Sequence, residues 1–492
     1  MLIFLTLLVP LLGGALLPLF RFRTVKSRGI YVEAVVIATS LMVLMLLLNR
    51  TDRLYTLMSL GVGTQLNLVF RLDGMSCVFA GLVAFLWPLA SLYGFEYMTH
   101  EERPDAFFAF YTMTYGITLA IAMAANLFTL YVFYECLTLI TLPLVTHKQD
   151  AASIRAGRKY LYFSISGAAM AFVALVFSLM YGTGADFTLG GILDPQKLAG
   201  HEDLLRGVFL LAFIGFGTKA AVFPMYAWLP SASVAPTPVT ALLHAVAVVN
   251  AGAYAVLRTI YYVFGAEFLA GSTVQLIVLG LSCFTILFGS TMALKEQHFK
   301  RRLAYSTISN LSYMLMGASL MTPSGMVGSL SHLVLHGLMK ITLFYCAGAV
   351  LVRTGQEYVQ DLRGYGKVMP FTCGVFTLAG IALVGIPPLC GFVSKWNLLT
   401  AAAETGTLMG RIAIATLIVS AVLTAAYLFT VIIPMYFRPL NEDQAALYGQ
   451  NRDPGWMMKL PLTILCAAIV ALGVYAQPLV TFLRGVASGA IF

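Results

Sequence analysis

Long apolar stretches recur along the whole of this 492-residue chain, and short polar connections separate them. About fourteen of these stretches reach the roughly 20 residues that a helix needs to cross a bilayer. Their limits in the sequence are 2–20, 29–49, 74–96, 106–125, 127–146, 159–182, 205–229, 239–264, 272–294, 302–321, 324–352, 368–400, 409–437 and 458–483. We therefore predict an all-α integral membrane protein with about fourteen transmembrane helices.

Composition and charge placement support a membrane protein and give it an orientation. Only 10% of the residues are charged, against about 25% in a soluble domain. The net charge of +9 does not indicate nucleic-acid binding, because nineteen Lys and Arg residues fall in odd-numbered connections and seven in the others. By the positive-inside rule both termini should lie outside the cell membrane, although the third connection is more acidic than basic.

Two further features of the sequence limit the function. No charged segment precedes Leu2 and no small-residue cleavage site follows the first stretch, so we expect a retained first helix. The seven cysteines show no C-x-x-C pattern, and six of them lie in apolar stretches. We predict no redox centre and no cofactor in this chain.

A few charged residues lie inside the apolar stretches, namely Glu135, Lys219, Lys340 and Lys395. A charge near the bilayer centre costs at least roughly 2.5–3.5 kcal/mol, so such residues usually face a protein interior or a water path. Glu135 has no charged residue within nine positions on either side. It is either a packed structural carboxylate or the partner of a lysine on a neighbouring helix, where the pair could gate a proton.

Prolines and glycines accompany two of these lysines. Pro224 follows Lys219, whereas Gly385, Pro387 and Pro388 precede Lys395. Such residues interrupt helices, and an interrupted helix beside a buried charge is typical of transport sites. The alternative is a lysine that reaches the membrane surface. The reversed order in the two segments suggests an internal repeat.

Histidines extend the polar pattern. His332, His336 and Lys340 follow an i, i+4, i+8 spacing and would form a stripe about 12 Å long on one helix. The spacing also suits a metal, but Lys340 one turn on would repel a cation. His244, six residues before Asn250, is either a packed core residue or a proton relay.

Four long segments resemble the antiporter-like subunits of respiratory complex I, of membrane-bound hydrogenases and formate hydrogenlyases, and of Mrp cation/proton antiporters. These segments are GTKAAVFPMYAWLPSASVAPTPVTALLHA, FKRRLAYSTISNLSYM, SHLVLHGLMKITLFYCAG and GIPPLCGFVSKWNLL, and RLDGMSCVF (71–79) is also similar to the family. The resemblance covers nearly the whole chain.

The resemblance implies a fold of fourteen helices with discontinuous helices 7 and 12 and two inverted five-helix repeats. The implied units are 1–105, 106–264 (helices 4–8), 272–437 (helices 9–13) and 438–492. The implied proton-translocation residues are Glu135, Lys219, His244, His332, His336, Lys340 and Lys395, with Asn250 and Lys300 as accessory candidates. Some members carry a lysine where Asn250 stands, and Ser231 and Val234 replace acidic residues common in the family.

The function implied is proton translocation in the cytoplasmic membrane of a bacterium or archaeon, within a complex whose other subunits carry out the redox chemistry. The partners expected are other membrane subunits, protons or Na⁺, and the lipid bilayer, with no nucleic acid. A gradient-driven Mrp-type Na⁺/H⁺ antiporter component is the alternative. A structural spacer is disfavoured because all the principal ionisable positions are filled.

Overall fold

The computed structural model describes residues 1–20, 22, 24–50, 53–60, 66–441 and 451–491. Two basic residues counted in the first connection, Arg21 and Arg23, lie outside the described residues, as does part of the predicted unit 438–492.

Helices form almost all of the described structure. The α-helices are α1 (Leu2–Leu16), α2 (Val25–Leu48), α3 (Gly74–Tyr97), α4 (Pro104–Ala122), α5 (Leu127–Val145), α6 (Ala151–Tyr181), α7 (Pro195–Leu198), α8 (Glu202–Gly217), α9 (Trp228–Ser231), α10 (Thr237–Ala245), α11 (Val248–Arg258), α12 (Ala266–Leu269), α13 (Thr273–Lys295), α14 (Phe299–Ser319), α15 (Pro323–Thr354), α16 (Pro370–Val384), α17 (Cys390–Glu404), α18 (Leu408–Phe437), α19 (Trp456–Val474) and α20 (Gln477–Ala487). A π-helical turn, Thr259–Phe264, continues α11.

Eleven helical segments in the described part are long and apolar enough to cross a membrane. The prediction of a helical membrane protein is therefore confirmed, and each predicted stretch contains one helix or two consecutive ones. The stretches 205–229, 302–321 and 368–400 do not reach the length or hydropathy of a single span. Two of them are interrupted helices, and α14 carries Lys300, Arg301 and Arg302 at its start. The number fourteen stays a prediction.

Short polar side chains start many of the helices. Asp73 accepts a hydrogen bond from the Ser76 backbone N–H, and Asn126 accepts one from Thr129, at 2.9 and 2.8 Å. Asp150 does the same for Ser153. These caps satisfy backbone donors that would otherwise be unpaired at the helix start. They fix where α3, α5 and α6 leave their connections.

A single helix, α15, occupies the centre of the bundle. Almost every residue from Gly325 to Val350 is buried, and α15 packs against α3, α10, α14, α16, α17, α19 and α20. A helix that is apolar all round can only be buried in this way. The predicted stripe of His332, His336 and Lys340 therefore lies in the interior of the protein.

One short sheet is an exception to the predicted all-α architecture. Strands β1 (Tyr55–Ser59) and β2 (Asn67–Phe70) pair antiparallel between α2 and α3. The pattern of apolar runs did not indicate this hairpin, because strands of five and four residues fall far below spanning length.

Both predicted helix interruptions lie where the prolines indicated. Residues 218–227 leave the helical path after α8, and residues 385–389 separate α16 from α17. Two more interruptions were not predicted, at residues 246–247 between α10 and α11 and at residues 475–476 between α19 and α20. No proline marks 246–247, so nothing in the sequence pattern indicated that break.

The charged connections meet at one end of the bundle, which we call the basic end. Arg28 of the first connection binds Asp105 of the third at 2.9 Å, and Lys148 of the fifth lies 3.8 Å from Glu101 of the third. The acidic third connection is therefore neutralised by its basic neighbours.

Later odd-numbered connections join the same end through backbone contacts. Phe299 N–H donates to the Glu357 carbonyl at 2.7 Å, and Gly455 N–H donates to the Glu96 carboxylate at 2.5 Å. Burial lowers the pKa of His298, so this imidazole is neutral near pH 7 and its 3.7 Å contact with Glu357 is no full ion pair.

A buried ion pair lies at the opposite end. Arg258, which is 0% exposed, donates two hydrogen bonds of 2.6 Å to Asp73, and one each to Ser76 and Tyr254 through the same guanidinium nitrogen. Breaking such a pair by removing one partner leaves an uncompensated buried charge. The pair fastens the end of α11 to the start of α3.

We expect Arg258→Gln to destabilise the protein by about 3–5 kcal/mol, because Asp73 would stay buried without its cation. The matched control is Arg206→Gln, whose partner Asp203 is 97% exposed and whose loss should cost at most about 1 kcal/mol. Thermal denaturation of the purified complex would compare them. Equal losses in the two variants would contradict a stabilising role for the buried pair.

Candidate functional site

Nearly all of the predicted site residues are buried inside the protein. Lys219, His244, His332, His336 and Lys340 are 0% exposed, and Lys395 is 7% exposed. The accessory candidates Asn250 and Lys300 are 0% and 4% exposed. Glu135 differs because it is half-buried, on the face of α5 that also carries the 64% exposed Leu139. The lysines and histidines thus face protein, whereas Glu135 lies at the edge of the bundle.

Lys219 lies in the first interrupted segment, two residues after the end of α8. Its ammonium donates a hydrogen bond to the backbone carbonyl of Tyr134 and lies 3.4 Å from the centre of the Tyr134 ring. Tyr134 is the neighbour of Glu135 in the sequence, so Lys219 binds α5 beside the carboxylate. In the described part of the chain, Lys219 and Glu135 form no direct salt bridge, and Glu135 Oε1 has no hydrogen-bond partner.

A close backbone approach holds this interrupted segment in place. A Cβ atom added to Gly252 of α11 would lie 2.5 Å from the Ala220 nitrogen and 2.9 Å from Lys219 atoms. Only glycine therefore allows α11 to contact the chain at Lys219. The Trp228 indole N–H donates to the Thr218 carbonyl at 2.9 Å and closes the same turn.

His244 lies at the end of α10, next to the unpredicted interruption. Neither ring nitrogen has a hydrogen-bond partner among the described residues, and the ring stacks on Phe344 of α15 at 4.8 Å. The Asn250 amide donates to the Ala245 carbonyl at 2.9 Å. Asn250 thus satisfies an acceptor at the interruption, which gives this residue a structural task in addition to the predicted accessory one.

The stripe on α15 connects α14 with the second interrupted segment. His332 Nδ1 lies 2.9 Å from the Ser394 hydroxyl of α17, and the His332 and His336 rings are 5.7 Å apart. Lys340 donates hydrogen bonds to the Ser306 hydroxyl and, at 3.1 Å, to the Leu303 carbonyl of α14. Both His336 nitrogens lack a partner in the described structure.

Lys395 uses the end of the preceding helix. Its ammonium donates to the Leu383 and Val384 carbonyls at 2.8 and 2.9 Å, and these belong to the last residues of α16. The last carbonyls of a helix have no intrahelical partner, so they are available to a cation. The ammonium also lies 5.4 Å from the centre of the Tyr313 ring.

The three buried lysines share one property. Among the described residues, none of them has a carboxylate within ion-pair distance, and each binds neutral oxygen atoms instead. Lys300 behaves alike and donates to the Ala235 carbonyl at 3.2 Å. Charging all of these groups together is therefore costly, which makes them suited to hold and release protons.

Several residues that build this region were not singled out from the sequence. Tyr134, Ser306 and Ser394 bind the predicted residues, and nothing in their spacing marked them. Arg258 and Glu33, in contrast, lie inside apolar stretches, where the cost of a buried charge marks them as it marks the lysines. Glu33 of α2 accepts a hydrogen bond of 2.5 Å from Ser91 of α3.

The fold and the site define a helical membrane protein with a line of buried ionisable side chains. Residues 124–424 match the sequence model of the family described as NADH:quinone oxidoreductase/Mrp antiporter, TM. Residues 58–108 match the family described as NADH-ubiquinone oxidoreductase (complex I), chain 5 N-terminus. The chain belongs to the NADH:quinone oxidoreductase/Mrp antiporter family of membrane subunits, which confirms the predicted resemblance.

Individual relatives come from more than one kind of complex. NADH-quinone oxidoreductase subunit N of Desulforudis audaxviator is 32% identical over 81% of this chain and 80% of its own length. A component of a probable K⁺/H⁺ antiporter of Rhizobium meliloti is 30% identical over 85% of this chain, which spans only 41% of that relative. The family is therefore certain and the kind of complex is not decided by these relatives.

A solved structure shows the same fold. The chain aligns over 99% of its length with a chain of the membrane-bound sulfane sulfur reductase, an archaeal respiratory membrane complex, with a TM-score of 0.84 and 22% identity. The alignment covers 97% of that chain.

We expect Gly252→Ala to reduce ion translocation by an order of magnitude or more, because the added methyl group must displace the backbone at Lys219. A displacement of about 1 Å at a reacting group can cost up to 10²-fold in rate. The control is Gly280→Ala, since a Cβ there meets nothing within 4 Å. Fluorescence quenching in energised inverted vesicles would measure translocation, and native gels would measure assembly. Normal translocation by an assembled Gly252→Ala variant would contradict the importance of this approach.

Proposed function

We propose that this chain is a proton-translocating membrane subunit of a redox-driven complex of the complex I or hydrogenase type. Protons would move along Glu135, Lys219, His244, His332, His336, Lys340 and Lys395. The observation that carries the proposal is the set of buried lysines, which lie inside the bundle and bind neutral oxygens.

Electrostatics explains why such a line would move protons. Two buried ammonium groups repel one another, so a proton gained by one lysine favours release from the next. Lys340 lies on α15 between Lys219 in the first interrupted segment and Lys395 in the second. A change at one end of the line could therefore be passed to the other through the charge of Lys340.

Unpaired polar atoms support a hydrated line. In the described structure, both nitrogens of His244 and His336 and the Nε2 of His332 are buried and find no partner in the protein. Buried polar atoms are nearly always hydrogen-bonded, so water is the expected partner. Water between the rings would also provide the proton path that ring distances of 5.7 Å cannot provide directly.

The repeats remain part of the proposal. We propose that units 106–264 and 272–437 are inverted repeats, flanked by units 1–105 and 438–492. The support is that each repeat holds one interrupted segment with one buried lysine, and that the order of lysine and interruption is reversed between them.

The energy would arrive from neighbouring membrane subunits, where the electron transfer takes place. The relatives and the solved structure are subunits of multi-subunit membrane complexes, which supports such partners. Cation/proton exchange within an Mrp-type assembly is the second candidate function, and the similarity to an antiporter component favours it.

The test compares Glu135→Gln and Lys340→Ala in the assembled complex, with Arg206→Gln as the control. Both site variants should lose at least about tenfold of the proton transport, because removing either ionisable group interrupts the line, whereas the control should not. Proton uptake coupled to the redox reaction would be measured in proteoliposomes. Unchanged proton transport in both site variants would overturn the proposed path, and robust K⁺ or Na⁺ exchange by the isolated chain would favour the second function.

We also propose that the basic end faces the cytoplasm and that both termini lie outside the cytoplasmic membrane. The expectation rests on the clustering of basic connections at one end. Alkaline phosphatase fused after residue 491 should be active, and the same enzyme fused in the fifth connection after Gln149 should be inactive. The reverse pattern would overturn the orientation.

A further inference from the structure

An apolar groove opens on the membrane-facing side of the bundle, away from the ionisable line. It has a volume of about 530 Å³ and lies between five helices, α2, α3, α15, α19 and α20. Its α3 wall includes Cys77, Gly81 and Phe85, which follow one helix face over about 12 Å. The remaining walls are aliphatic and aromatic, with one exception.

The exception is Arg50, at the end of the groove opposite the basic end. Its guanidinium lies 5.2 Å from the centre of the Phe482 ring, and the side chain is exposed. Among the described residues, no carboxylate lies within ion-pair distance of Arg50. A single cation therefore stands at the mouth of a deep apolar groove.

We infer that this groove binds one acyl chain of a phospholipid whose phosphate contacts Arg50. An apolar groove with one cation at its mouth matches a hydrocarbon chain that ends in an anion. A transmembrane helix of a neighbour does not fit, because a helix 10–12 Å wide needs roughly 900–1,400 Å³ over the same length. A neutral isoprenoid quinone has no group that would use Arg50.

The floor of the groove links this lipid to α15. Val334 and Leu338 line it, and each lies two residues from a histidine of the stripe. Positions two apart point about 200° apart on a helix, so the acyl chain packs against the back of the stripe. This inference does not depend on the proposed function, because it concerns binding alone.

The glycine at the centre of the α3 wall permits a sharp test. A Cβ at Gly81 would meet only Leu47, at an ordinary 3.5 Å, so the backbone accepts a side chain there. Gly81→Leu would fill the groove. Gly280→Leu adds the same side chain to α13, where a Cβ meets nothing within 4 Å, and is the matched control. Arg50→Gln removes the cation without filling the groove.

The experiment uses the complete complex in liposomes that contain phosphatidylglycerol with a photoreactive diazirine on the acyl chain. After illumination, mass spectrometry counts adducts on groove peptides of α3, α19 and α20. We expect adducts in the wild type and in Gly280→Leu, a loss of at least fivefold in Gly81→Leu, and about a fivefold loss in Arg50→Gln. A diazirine-labelled isoprenoid quinone should give few adducts there.

Three results would overturn the inference. Equal labelling in Gly81→Leu and Gly280→Leu would show that the groove is not the binding site. Strong quinone labelling that is insensitive to Arg50→Gln would assign the groove to a neutral isoprenoid. Labelling of the exposed face of α18 with none in the groove would show that a neighbouring protein covers it.

Discussion

Each buried lysine of this protein binds oxygen atoms that carry no full charge. Lys219, Lys340 and Lys395 use backbone carbonyls and one serine hydroxyl, so their ammonium groups are hydrogen-bonded but not neutralised. In a membrane interior this arrangement is tolerable only away from lipid. The architecture follows from that constraint, because helices must surround these groups on all sides and at least one must end early to supply free carbonyls.

The Asp73–Arg258 pair shows the opposite treatment of buried charge. The carboxylate receives two short hydrogen bonds, and Ser76 and Tyr254 contact the same guanidinium. A pair so fully satisfied has little reason to exchange a proton, and it joins two helices instead. The same bundle thus contains charges that are balanced and structural and charges that are unbalanced, and only the second group lies along the proposed path.

The sequence was informative where a residue is costly in its surroundings. Apolar runs and lysines within them stand out from any background, so the helical class, the two proline-marked interruptions and the burial of Lys219, Lys340 and Lys395 could be predicted. The partners of these residues could not, because a serine such as Ser394 or a backbone carbonyl such as that of Tyr134 is ordinary in any helix. The interruption at residues 246–247 and the β1–β2 hairpin lack a marker of comparable strength.

The acidic third connection acquires its balance of charge only when the chain is folded. Alone, this segment carries more carboxylates than cations, and its signal for membrane insertion is the weakest of the odd-numbered connections. Arg28 is synthesised before Asp105, and Lys148 is synthesised after Glu101. The ribosome therefore delivers one cation ahead of the acidic segment and another behind it. Biogenesis of α3 and α4 thus depends on helices made earlier and later, and the order of synthesis is itself part of how this topology is reached.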